Sequence, residues 1–176
     1  DDARHVHVPL HALADQASEY WLSPTPVQHG WHGAVAYAEN GAVLLAHVQV
    51  SHEQIQQDGL EQSVYQAYTD LQALSCARGY GRVLRIWNFL EQITAGQGDA
   101  ERYRIFNLGR ARALAAQPQW LVPLPAATAI GLPEGGFLLY CLAAREAVGM
   151  AVENPRQVPA FEYPRQYGPQ SPSFSR

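Results

Sequence analysis

The chain has 176 residues, of which 47% are hydrophobic and 16% are charged, a composition typical of a folded domain and not of a disordered one. Its formal net charge is −4 and it has no basic run, which argues against nucleic acid as a partner. All 12 basic residues are arginine, so a Schiff-base lysine and a phosphate loop ending in lysine are both excluded.

Composition also indicates the cellular setting. No apolar run is long enough to span a bilayer, and no signal peptide is visible. Because the chain begins at Asp1 and not at Met, we expect that residues upstream have been removed or left out. Cys76 and Cys141 lie in apolar stretches with a spacing that fits no zinc or redox motif, so we expect buried thiols. These features predict a cytoplasmic protein with no membrane partner.

The first 50 residues predict strands. Apolar residues alternate with histidines, as expected for a half-buried strand at a sheet edge: Val6, Val8 and Leu10 against His5, His7 and His11. Residues 22–32 contain Pro and Gly and are predicted to form an ordered loop. A hairpin follows, with strands at 33–38 and 42–50 around Asn40-Gly41, a turn pair in which both residues favour positive φ.

Two helices and three more strands are predicted next. A helix begins after Asp58-Gly59 and ends near Gly79, and its apolar residues recur at helical spacing: Leu60, Val64, Ala67, Tyr68, Leu71 and Leu74. Asp99 is predicted to cap a second helix with Tyr103, Phe106 and Ala113 or Leu114 on its inner face, while Arg110 and Arg112 cannot both face inward. The predicted strands are 82–90, 126–130 and 137–144, with a turn at 131–136.

The element order predicts an α+β domain over residues 1–150, with two helices packed on one face of a sheet. Residues 151–176 differ in composition, because the stretch from Asn154 to Arg176 holds five prolines and no apolar periodicity. Such a run cannot form a helix, and an extended segment held by other surfaces is expected.

That segment reads NPRQVPAFEYPRQYGPQSPSFSR, and it resembles the signature of the chorismatase family, which includes the 3-hydroxybenzoate synthases. ERYRIFNLGRARAL (101–114) and LPAATAIGLPEGGFLLYCLAAR (124–145) resemble the same family. The resemblance implies two tandem domains of RidA/YjgF-like fold, of which this chain is the N-terminal one. It also implies removal of the enolpyruvyl group of chorismate, giving pyruvate and a hydroxybenzoate or a dihydroxycyclohexadiene carboxylate, with no cofactor.

The segment from residue 151 onward supplies the candidate substrate-binding residues. Chorismate carries two carboxylates, which arginine and tyrosine can bind, and the candidates are Arg156, Tyr163, Arg165 and Tyr167. In an extended chain, Tyr163, Arg165 and Tyr167 share one face. The same residues could instead pack the segment onto a surface, with an arginine paired to Glu162. The resemblance places the catalytic acid beyond Arg176, so no catalytic residue is assigned here.

Two other functions stay open. The chain could be a stand-alone RidA-like enamine or imine deaminase, but the place of that family's carboxylate-binding arginine is taken by Ala127 in the stretch from Pro125 to Thr128. It could also be a non-catalytic scaffolding domain. A metal site at His5 and His7, or at His29 and His32, is not favoured, because no Cys or carboxylate joins them at ligand spacing.

Overall fold

The computed structural model describes residues 2–10, 17–122, 124–146, 156 and 158. Its six strands are β1 (Gln28–His32), β2 (Val35–Glu39), β3 (Val43–Val50), β4 (Arg82–Glu91), β5 (Ala126–Leu132) and β6 (Phe137–Ala144). Its three α-helices are α1 (His52–Asp58), α2 (Leu60–Ala77) and α3 (Arg102–Ala116), and short 3-10 turns occupy Gly98–Ala100 and Pro118–Leu121. No helix in the described ranges has the length and apolar character needed to cross a bilayer.

The strands form one sheet in the order β1-β2-β3-β6-β4-β5. Every neighbouring pair is antiparallel except β4 and β5, which run parallel and are joined by the crossover through α3. Both long helices pack on the same face of the sheet, so the predicted α+β architecture is confirmed. The parallel pair places β5 at the sheet edge, beside α3.

The core lies between α2 and the central strands. The six apolar residues predicted to line α2, from Leu60 to Leu74, are all buried, and they pack against the inward side chains of β3 and β6. Gly79 follows α2 with φ of 77°, a left-handed conformation that glycine adopts without strain, so the predicted helix end is confirmed.

The N-terminal prediction is wrong in two places. Residues 5–10 form no strand, and Val6 and Val8 instead pack on the face of the sheet opposite the helices, near Phe89 and Leu138. Residues 28–32, predicted as loop, form β1 and pair with β2. A segment with alternating apolar side chains can cover an apolar face without forming inter-strand backbone hydrogen bonds. Local composition does not show which segment will pair with a neighbouring strand.

The hairpin of β2 and β3 is confirmed, but its turn differs from the expected type. Gly41 has φ of 87°, whereas Asn40 is not among the residues with positive φ. The Asn40 side-chain oxygen accepts hydrogen bonds from the backbone N–H groups of Ala42 (3.1 Å) and Val43 (2.9 Å). The asparagine therefore stabilises the turn through its side chain.

Two helix starts also differ from the predictions. Helix α1 was not predicted, although Ser51 and Gln54 form a capping box, the S-x-x-Q signal of a helix start. Asp99 does not cap α3, which begins at Arg102. It lies in a 3-10 turn, where its carboxylate accepts a hydrogen bond from Arg104 (3.2 Å).

Helices α2 and α3 approach closely at Gly109, a residue in the middle of α3. A Cβ atom at this position would collide with the backbone carbonyl oxygen of Glu61 and lie 3.1 Å from Cβ of Val64. Because the obstructing atom belongs to the main chain of α2, it cannot move aside like the end of a side chain. The glycine therefore sets the distance between the two helices.

We expect Gly109→Ala to lower the free energy of unfolding by about 1–3 kcal/mol, since overpacking outweighs the helix propensity of alanine, which is worth up to about 1 kcal/mol. Urea unfolding checks this. Gly81→Ala is the control, because a Cβ there meets no atom within 4 Å. A Gly109→Ala variant as stable as the control would contradict the close approach.

Candidate functional site

A cleft of about 180 Å³ lies between α3 and the edge of the sheet. Strand β5 forms one wall through residues 127–129, and β4 contributes Asn88. The other wall is α3, with Tyr103, Phe106, Asn107 and Arg110. The cleft thus joins an aromatic surface to amide and guanidinium groups.

Helix α3 turns two polar side chains toward the interior. Asn107 and Arg110 are 8% and 3% exposed. Asn107 directly follows the buried Phe106, and Arg110 lies four residues after Phe106 and three before the buried Ala113. Arg112 points outward, where it pairs with Glu61 (3.0 Å) and lies over the ring of Tyr65. The expectation that the two arginines do not both face inward is confirmed, because Arg110 is buried and Arg112 is paired at the surface.

A hydrogen-bond chain fixes the base of the cleft. The hydroxyl of Tyr68, a fully buried residue of α2, donates to Oδ1 of Asn88 (2.8 Å), and the Asn88 amide donates to the backbone oxygen of Thr128 (2.9 Å). Burial raises the pKa of Tyr68, against the opposing effects of Arg110 and Asn88, so the hydroxyl remains a donor. The guanidinium of Arg110 lies 5.7 Å from the centre of the Tyr68 ring.

Asn107 differs from Asn88 in that its buried side-chain oxygen has no hydrogen-bond partner among the described residues. A buried acceptor without a donor costs roughly 1–3 kcal/mol, so such atoms are uncommon unless something else uses them. Chemically, the cleft offers an acceptor at Asn107 and a guanidinium one helical turn away at Arg110.

Glu91 fixes the start of α3 next to the cleft. One carboxylate oxygen contacts His52 Nδ1 (2.6 Å) and Arg102 Nη2 (3.1 Å), and the other accepts the backbone N–H of Gly136 (2.9 Å). Burial by itself would raise the pKa of Glu91, but the bonds from His52 and Gly136 and the nearby charges outweigh it and lower the pKa.

The open face of the sheet carries an aromatic layer. The rings of Trp87 and Tyr140 stack at 4.7 Å, Trp21 lies 6.0 Å from Trp87, and the guanidinium of Arg85 lies 5.0 Å from the Trp87 ring. Trp21 and Trp31 are each about half exposed. This face offers apolar surface on the side of the sheet opposite the helices.

Of the four residues predicted from the sequence to bind substrate, only one lies within the described residues. Tyr163, Arg165 and Tyr167 lie outside the described residues, and Arg156 is exposed in a turn. Ala127 lines the cleft, and its methyl group carries no charge. The guanidinium in this cleft comes from Arg110. Sequence reasoning missed Asn107 and Arg110 as cleft residues, although they fall on the helix face predicted from Tyr103 and Phe106.

The structure also shows how exposed the two cysteines and the histidines are. Cys141 is buried, which raises the pKa of its thiol to about 12, whereas Cys76 is exposed, so the expectation of two buried thiols is wrong for Cys76. His5, His7, His29 and His32 are all exposed. No group of three or more His, Cys, Asp or Glu residues within the described ranges could hold a metal ion.

Comparison with known proteins connects this architecture to an enzyme class. Residues 19–143 match the family described as "Chorismatase FkbO/Hyg5-like, N-terminal". The chain is 34% identical to a 3-hydroxybenzoate synthase of Streptomyces hygroscopicus over 164 residues, which are 93% of the chain and 47% of that protein. It is 35% identical to a chorismatase of Streptomyces rapamycinicus over 160 residues, 90% of the chain and 47% of that protein.

A crystal structure of a chorismatase superposes with a TM-score of 0.75 at 33% identity, covering 86% of this chain and 45% of the other. Fold and sequence together define an α+β domain of the kind found in chorismatases. The chain belongs to the FkbO/Hyg5-like chorismatase N-terminal family. It spans about half the length of the curated relatives it matches.

We expect Glu91→Gln to lower the free energy of unfolding by about 2–3 kcal/mol at pH 7. The loss should be smaller than for a fully buried ion pair because His52 and Arg102 stay partly in water. The folded-state pKa of Glu91 lies below its ordinary 4.5, so its stabilisation is complete above about pH 4.5 and is lost as the pH falls further.

The difference in stability between wild type and Glu91→Gln should therefore be largest near neutral pH and shrink toward pH 3. Urea unfolding at several pH values measures it. Glu61→Gln is the control, since this exposed partner of Arg112 contributes less than about 1 kcal/mol. A difference that stays constant from pH 7 to pH 3 would contradict the role of the Glu91 charge.

Proposed function

We propose that this chain is the N-terminal part of an enzyme that removes the enolpyruvyl group of chorismate. The products are pyruvate and a hydroxybenzoate or dihydroxycyclohexadiene carboxylate. The observation that carries the proposal is the family match over residues 19–143, supported by relatives named chorismatase and 3-hydroxybenzoate synthase. The cytoplasm is the expected compartment, because both cysteines are free thiols.

The reaction requires a proton donor and groups that bind carboxylates. A proton added to the terminal methylene carbon gives an oxocarbenium ion, which water or the neighbouring ring hydroxyl attacks. Attack by water gives a hemiketal, which breaks its C–O bond to the ring oxygen and releases pyruvate. Attack by the ring hydroxyl gives a cyclic ketal, which releases pyruvate when one ketal C–O bond and one ring C–O bond break and a ring proton is lost. A carboxylic acid suits the proton transfer, and arginine suits the two carboxylates. We place the acid beyond Arg176, in a second domain of the longer protein.

The contribution of this chain to the substrate site is proposed to come from residues 151–176. Tyr163, Arg165 and Tyr167 alternate along a proline-rich run, so an extended backbone presents their donors on one side. Prolines restrict the backbone before binding and thereby reduce the ordering cost. Arg156 is the fourth proposed contact, and it lies in an exposed position.

The second domain is also the proposed partner of the open sheet face. Trp21 and Trp31 expose about half of their surface there. Trp21 lies beside Trp87 of the stacked pair Trp87 and Tyr140, and Trp31 lies beside His47. Aromatic residues are enriched in the buried centres of protein interfaces. This chain covers 47% of each of two relatives, so a longer protein of their length has further polypeptide that can form such an interface.

The 176-residue chain by itself should not release pyruvate from chorismate. Without the proton donor, general acid catalysis worth about 10² to 10⁴ in rate is missing. The assay compares pyruvate release by this chain and by a longer protein that includes the second domain. Equal rates would show that the active site is complete within these residues.

In the longer protein, Arg165→Ala should raise KM for chorismate by about tenfold to a hundredfold, since a hydrogen bond to a charged group is worth roughly 1.5–3 kcal/mol. Arg165→Lys should rescue binding only in part, because lysine lacks the planar fork. Steady-state kinetics measure both variants, with Arg112→Ala as a surface control. Wild-type kcat/KM in both Arg165 variants would make Arg165 a packing residue.

A further inference from the structure

The side chains that line the cleft beneath α3 are not those proposed as substrate contacts in residues 151–176, and they have a chemistry of their own. We propose that it binds a small aromatic hydroxy acid. The carboxylate would be bound by Arg110, the hydroxyl would donate to Asn107 Oδ1, and the ring would lie between the aromatic side chains of α3 and strand β5. This inference does not depend on the proposed function.

The requirement for a hydrogen-bond donor in the ligand comes from Asn107. Its side chain is more than nine-tenths buried and lines the cleft, and Oδ1 has no partner among the described residues. Asn88, at the base of the cleft, accepts a hydrogen bond from Tyr68 through its amide oxygen and donates one to Thr128 through its amide nitrogen. Asn107 is thus the amide in this cleft whose oxygen is available to a ligand hydroxyl or N–H group.

The requirement for a carboxylate comes from Arg110. A guanidinium carries five N–H donors in a planar fork, so it can bind a ligand carboxylate in addition to the contacts it already makes. Arg110 lies one helical turn from Asn107. A small ligand that carries both an anionic group and a hydrogen-bond donor can therefore reach both side chains. An amino acid would place its ammonium near the guanidinium, so a neutral hydroxyl is the preferred donor.

The walls and volume define the rest of the ligand. Tyr103 and Phe106 stack at 6.0 Å with 20° between their rings, and Ala127 and Ala129 present small side chains from β5. A flat ring fits between such surfaces, and aromatic pairs favour offset or edge contacts at these distances. A cavity of about 150 Å³ can bind benzene, so a cleft of about 180 Å³ suits a ligand of one ring.

The test titrates the 176-residue chain with 3-hydroxybenzoate and follows binding by calorimetry and by the NMR signals of the Ala127 and Ala129 methyl groups. We expect saturable binding that shifts both methyl signals. Benzoate and 3-methoxybenzoate should bind about tenfold more weakly, because they leave the Asn107 oxygen without a donor. Inorganic phosphate binding as tightly as 3-hydroxybenzoate would overturn the proposal, as would the absence of binding.

Two variants locate the ligand. Asn107→Leu should weaken 3-hydroxybenzoate about tenfold while raising the urea midpoint, because it removes a buried acceptor that has no partner among the described residues. A purely structural asparagine would lower the midpoint instead. Arg110→Lys should weaken binding and Arg112→Lys, two residues along the same helix, should not. If Arg165→Ala abolishes binding and Asn107→Leu leaves it intact, the ligand binds residues 151–176 and the cleft assignment is wrong.

Discussion

The carboxylate of Glu91 lies at the end of β4, where it contacts α1 through His52, α3 through Arg102 and the turn between β5 and β6 through Gly136. A buried carboxylate is stable only when charges and donors surround it, so these elements must converge on it. The start of α3 is thereby fixed relative to the sheet. Every side chain that α3 contributes to the cleft depends on this anchor.

A second constraint acts at the middle of α3. The absence of a side chain at Gly109 brings the helix against the backbone of α2, and the next residue, Arg110, then lies beside the ring of Tyr68. Glu91 sets where the helix begins, and Gly109 sets how deeply it packs. Together, Glu91 and Gly109 hold Asn107 and Arg110 inside the protein. Buried polar groups on a helix face are unfavourable unless they are hydrogen-bonded.

The two faces of the sheet therefore serve different purposes. The helix side holds the core and a small polar cleft, built from α3 and from strands β4 and β5. The open side holds stacked aromatic rings with exposed tryptophan surface, which suits a large partner more than a small ligand. This division agrees with the proposal that the domain is one half of a longer enzyme, and it puts the proposed interface and the proposed ligand cleft on opposite faces of the sheet.

The amino-acid sequence alone predicted helix α2, because its apolar residues recur at helical spacing over 18 positions. It also indicated the family, through an unusual proline-rich run. It did not decide whether residues 5–10 or residues 28–32 would join the sheet, since strand pairing depends on which partner is available. Nor did it place Asp99 outside the cap of α3 or Arg110 beside Tyr68. Those positions follow from the contacts of Glu91 and the helix spacing at Gly109, which exist only when residues distant in sequence have come together.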